Sequence, residues 1–189
     1  AAIVGEQEDV ALIVAENEAE AEAFWEDRHR LSAIAKRTSG FKINEDVVIP
    51  VSRIPDFALF LEQLNLECAA GGYRQALQDI GRLPGMALED TDLNKEFVFA
   101  SRAACGDLPA TDCSDQELED RASAFLERMA LRYDRLAPKI RAIAEDMRAA
   151  RVLVASHMHA GDGNCHVNIP VNSNDLRMLE TAEEAAARV

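Results

Sequence analysis

Three of the four histidines lie within the stretch Ser156-His157-Met158-His159-Ala160-Gly161-Asp162-Gly163-Asn164-Cys165-His166-Val167-Asn168-Ile169-Pro170. Imidazole is the commonest metal ligand, so this concentration points to metal binding. Strand-like residues flank Gly161-Asp162-Gly163-Asn164, and Asp-Gly and Gly-Asn favour turns, which predicts a β-hairpin. Side chains alternate along a strand, placing His157 and His159 on one face going in and His166 and Asn168 on one face coming out. His159 and His166 each sit one residue outside the segment 160–165. As cross-strand partners their Cβ atoms would be about 4.5–5.5 Å apart. That spacing suits one divalent cation held through Nε2 atoms about 2.0–2.2 Å away. Asp162, at the tip, is expected to point away, so a third donor is expected beyond Val189. The structural alternative is a hydrogen-bonded histidine pair that stabilises the turn. A phosphate cradle is disfavoured: there is no Walker A pattern, and GxGxxG fails because His166 takes the place of its third glycine.

The elements that must position this hairpin are legible in outline. Ala11–Ala15 reads as a short strand, and Glu18 to about Arg37 as a helix. On that helix Phe24, Trp25, Leu31 and Ala35 share a side at about 100° per residue, with Arg28 in their midst. Arg28 either snorkels from the core and pairs with a structural carboxylate, or aims its guanidinium at an anionic ligand. Asp46–Pro50 is β-branched and predicts a buried strand, followed by an N-cap at Ser52 and a helix carrying Phe57, Leu59, Phe60, Leu61 and Leu64. Gly71-Gly72, Pro84-Gly85 and Cys105–Pro109 read as breaks in a helix-prone region. Ser114–Glu117 has the form of a capping box. Behind it Leu118, Ala122, Phe125, Met129, Tyr133 and Leu136 recur at helical spacing, and Pro138 opens a further helix carrying Ile140, Ile143 and Met147. Arg151–Ser156 and Cys165–Val171 are the hairpin strands, and Ser173 or Asn174 caps a last helix from about Leu176. The expected organisation is a strand-helix portion over 1–66, a helical insertion over 67–150, and the histidine hairpin with the final helix over 151–189.

The net charge is −14, with 48% hydrophobic and 29% charged residues. No basic cluster suited to nucleic acid is present. No apolar run reaches the ~18 residues needed to cross a bilayer, and no secretory signal is visible, so a cytoplasmic location is expected. Cys68, Cys105, Cys113 and Cys165 form no CxxC pair, and reduced thiols are expected. A start without methionine and an uncapped helical pattern at the end suggest an excised piece of a longer chain.

His159-Ala160-Gly161-Asp162-Gly163-Asn164-Cys165-His166-Val167-Asn168 resembles the H-x-G-D-G-N-x-H-x-N signature of the FAD-linked oxidase C-terminal domain. That family includes D-lactate dehydrogenases, glycolate oxidase and D-2-hydroxyglutarate dehydrogenase. Trp25-Glu26-Asp27-Arg28 is similar to its W-x-x-R helix, and Asp46-Val47-Val48-Ile49-Pro50 to its D-x-x-x-P segment, with Lys42 near the family's preceding lysine. The resemblance implies an α+β, ferredoxin-like antiparallel sheet with helices on one face, capping the flavin of a separate FAD-binding domain. It implies oxidation of a 2-hydroxy acid such as D-lactate or glycolate, with hydride passing to the flavin. On it, His159 and His166 hold a divalent metal (Zn, Fe or Mn), Arg28 pairs with the substrate carboxylate, and Asn164 and Asn168 face substrate or cofactor. His29 stands where the family often has glutamate, and the Glu-His-Gly segment that supplies the family's third ligand does not occur. The isolated piece is therefore expected to be inactive. The competing expectation is a metal-binding or protein-interaction module without catalysis of its own.

Overall fold

A computed structural model describes residues 15–23, 41–87, 90–159 and 161–189. The chain divides into two units, residues 1–39 and 40–189. In the first, residues 18–23 are helical. Asn17 caps them by accepting the Glu20 amide at 3.0 Å. The strand expected at 11–15 lies almost wholly outside the described residues, as do Trp25, Arg28 and Leu31.

The second unit is α+β, with an antiparallel three-stranded sheet of order β1-β3-β2 and helices. Strand β1 is Phe41–Val48, five residues earlier than the β-branched run at Val47 to Ile49 suggested. Lys, Asn, Glu and Asp carry little strand preference alone. Full pairing with β3, from Phe41↔Val171 to Val48↔Asn164, overrides that preference. After a 3-10 turn at Val51–Arg53, helix α1 runs Ile54–Gly81. Ser52 does not cap it: Arg53 holds the cap position without a side-chain bond, and Pro55 lies in the first turn, where no amide bond is lost.

Gly71-Gly72 does not break α1. Each glycine costs about 0.5–1 kcal/mol relative to alanine in a helix, and the buried stripe Leu64, Leu66, Ala70, Tyr73, Leu77 and Ile80 outweighs that cost. This one helix serves two cores. Leu61 and Leu64 pack with Val152, Val154, Cys165, Val167, Ile169, Val171, Met178 and Ala182 beneath the sheet. Leu66 to Ile80 pack with the helices α2 (Thr91–Ala104), α3 (Asp115–Arg132) and α4 (Ala137–Ala149). The capping box at α3 is complete, with Ser114 and Glu117 bonding reciprocally. Asp90 caps α2 by accepting the Asp92 and Leu93 amides. Among the described residues no helix is long and apolar enough to cross a membrane.

Strand β2 is Ala155–His159 and β3 is Asn164–Val171. Pairing was expected from Arg151 but begins at Ala155, because the Asn65 side chain takes both the amide (2.8 Å) and the carbonyl (3.0 Å) of Val154. The final helix, α5 (Leu176–Ala186), is capped by Asp175, not by Ser173 or Asn174. Asn172 accepts the Asn174 amide at 3.1 Å, and that turn brings Asp175 to the cap position.

Candidate functional site

Alternation gives β3 two unlike faces. Cys165, Val167, Ile169 and Val171 are buried against α1 and α5, while Asn164, His166 and Asn168 are half-buried on the other face. Register carries that second face across the sheet. Asp46 and His157 flank His166, Asn44 and Ala155 flank Asn168, and Val48 and His159 flank Asn164. The polar face thus holds one unbroken row, Asp46–His166–His157, with His159 diagonal to it.

His159 and His166 are not direct cross-strand partners. The link is four residues, because the His159 carbonyl accepts both the Asp162 and Gly163 amides at 3.1 Å, which closes the hairpin on His159↔Asn164. His157 is therefore the residue opposite His166, their rings stacked with centres 4.9 Å apart and planes at 29°. The His159 and His166 rings meet edge to face with centres 6.1 Å apart. The Asp162 carboxylate accepts the Asn164 amide at 3.0 Å and stabilises the turn. Gly163 is in the left-handed region at φ +74°, and a Cβ there would sit 2.0 Å from the Ile49 carbonyl oxygen. Its own carbonyl accepts the Ile49 amide at 2.8 Å, which ties the hairpin to the end of β1.

Two hydrogen-bonded groups orient the rings. His166 Nδ1 lies 2.5 Å from Asp46 Oδ1. A carboxylate only accepts, so neutral His166 carries its proton on Nδ1 and keeps its lone pair on Nε2, the arrangement that prepares an imidazole for a proton or a metal. Lys42 Nζ donates to Asn168 Oδ1 at 2.9 Å, and Asn168 Nδ2 lies 3.3 Å from His157 Nδ1. The His166 side chain is 30% exposed and that of Asp46 is 72% exposed, so this pair reaches solvent.

The donor chemistry fits a metal in part. Two imidazoles sharing one zinc ion through nitrogens about 2.0–2.1 Å away would have ring centres roughly 5 Å apart, comparable with the spacings here. Among the described residues, however, no three His, Cys, Asp or Glu side chains form a group able to hold an ion. The structure therefore brings His159, His166, Asn164 and Asn168 together on one face, and Arg28 lies outside the described residues. Sequence reasoning missed Asp46 and His157 as site residues. Period-two alternation carried the signal for both, since His157 shares a face with His159, and Asp46 lies on the opposite parity from Val47.

The family model described as FAD linked oxidases, C-terminal domain, matches residues 1–72 and 86–189. Comparison with curated proteins and with solved structures gives no match.

Proposed function

The chain belongs to the FAD-linked oxidase C-terminal domain family, and from that premise we propose that its polar sheet face is the substrate side of a flavoenzyme oxidising a small 2-hydroxy acid. The observation that carries this reading is the Asp46–His166–His157 row, in which a carboxylate holds the central imidazole at 2.5 Å on the polar face of the sheet. A site of that kind binds and orients a polar ligand through fixed donors and acceptors.

Oxidation of a 2-hydroxy acid removes the hydroxyl proton and the α-hydrogen, the latter as hydride to the flavin that a separate domain supplies. This chain provides the polar floor. With Nδ1 of His166 engaged by Asp46, Nε2 is the atom through which neutral His166 would hold an ion beside the substrate hydroxyl. Asn168, bridging Lys42 and His157, fixes the neighbouring polar groups, and Asn164 closes the row beside His159. His159 and His166 are the residues that would hold a divalent ion, with a further donor from outside the described residues. Such an ion would supply Lewis-acid polarisation of the hydroxyl. Arg28 is assigned the substrate carboxylate on its place in the W-x-x-R stretch.

The test is turnover by the flavoenzyme that contains this domain. Purified with its flavin, it should reduce an artificial dye with one of D-lactate, glycolate or 2-hydroxyglutarate and ignore the corresponding acids without the hydroxyl. A protein without flavin, or one inert to every 2-hydroxy acid tried, would refute the reading.

A further inference from the structure

We infer that Asn65 and Arg151 are positioning residues that anchor the leading end of β2. Through them the helical part of the unit serves the candidate site, because it holds His157 against His166.

Strand β2 has little to hold it along its own length. Among the described residues it pairs with β3 alone, from Ala155 to His159. Met158 is half-buried, and every other residue of the strand, His157 and His159 included, is exposed. Register is weakly specified in a strand without a buried face, and such a strand frays from its ends. The trailing end is closed by the Asp162 and Gly163 amides on the His159 carbonyl. No turn closes the leading end at Ala155, just ahead of His157.

The segment before Ala155 supplies that closure. Val152 and Val154 are buried in the sheet core. Apolar burial is non-directional, however, and does not decide which residue enters the ladder. The Asn65 carboxamide on α1 decides it. Its Nδ2 donates to the Val154 carbonyl at 3.0 Å and its Oδ1 accepts the Val154 amide at 2.8 Å. Both backbone groups of one residue are thus taken by one side chain. Upstream, the Arg151 guanidinium forks onto the start of α3, with Nη2 2.9 Å from Asp115 and Nε 2.5 Å from Glu119. These three side chains are between 25% and 34% exposed, so their ion pairs are screened less than those of a fully exposed surface bridge. Residues 151–154 are therefore pinned at both ends by helices that pack on one another in the helical core. The strand that follows starts from a fixed point, and its histidine meets His166 with ring centres 4.9 Å apart. That this geometry matters to a substrate rests on the proposed function; the anchorage does not.

Nuclear magnetic resonance on the 189-residue chain reads the anchorage without turnover. Asn65→Ala removes both bonds to Val154. The β2 amides that bond β3 should then exchange with solvent roughly ten- to hundredfold faster. The proton–proton contact between the His157 and His166 rings should be lost, while amides of β1, α2 and α4 exchange as in the parent. Arg151→Met keeps the apolar stem and both Asn65 bonds and loses only the ion pairs. It should speed exchange of the same β2 amides roughly two- to fivefold, and it decides the matter if Asn65→Ala fails to fold. Unchanged β2 exchange and an intact ring contact in Asn65→Ala would overturn the role of Asn65, and unchanged β2 exchange in Arg151→Met that of Arg151. Faster exchange spread evenly over every element would make both residues general stabilisers and overturn the inference.

Discussion

Gly163 shows how a single residue fixes the site. Its φ of +74° and the Ile49 carbonyl oxygen, 2.0 Å from where a Cβ would be, leave no room for any side chain. Gly163→Ala should destabilise the fold by about 1–3 kcal/mol, measured by urea unfolding. It should also disturb the Asn164 and His166 amide signals, because the hairpin tip and the end of β1 must separate. The requirement for glycine was readable in Gly161-Asp162-Gly163-Asn164, and so was the shared face of His157 and His159. The register was not. Placing the link over 160–165 pairs His159 with His166, whereas two amides on the His159 carbonyl shorten the link and place His157 there instead. Asp46 escaped notice because its importance depends on β1 lying beside β3, a contact between residues 120 positions apart.

Elements were legible where their signals are local. The Ser114–Glu117 box, the turn at Cys105–Pro109, Pro138 at the start of α4 and the strand Asn164–Val171 all follow from neighbours in sequence. They failed where a distant partner decides, as with Asn65 holding Val154 off the ladder or the buried stripe carrying α1 through Gly71-Gly72. Since a Cβ at Gly71 would meet nothing within 4 Å, Gly71→Ala should raise stability by about 0.5–1 kcal/mol in thermal or urea unfolding. The α2 cap predicts a pH dependence. Burial pushes the Asp90 carboxyl up, but the Tyr133 hydroxyl, the Leu93 amide, the Arg132 guanidinium and the Asp92 amide together hold it below the usual carboxylate range. A carboxyl lowered on folding contributes stability that is present above its unfolded pKa of about 3.9 and is lost as pH falls through the lower folded value. Asp90→Asn should therefore flatten the decline of unfolding free energy between about pH 5 and pH 2, while lowering stability at neutral pH.

Across the unit 40–189, α1 links a sheet core to a helical core, and the candidate site lies on the sheet face turned away from both α1 and α5. The four cysteines are free, with only Cys105 exposed. Burial pushes the Cys68 thiol up to about 11 and also raises Cys113 and Cys165. One thiol should therefore react rapidly with a thiol reagent at pH 8 and all four after unfolding, with Cys105→Ser abolishing the rapid phase. Equal, rapid reaction of all four would contradict this packing. The central claim is that the imidazole row handles the substrate, and anaerobic stopped-flow reduction of the bound flavin by the preferred 2-hydroxy acid tests it most directly. The account predicts that His166→Ala slows flavin reduction by about 10–100-fold or more with the flavin spectrum and thermal midpoint unchanged. Reduction at the parent rate in that variant would contradict it.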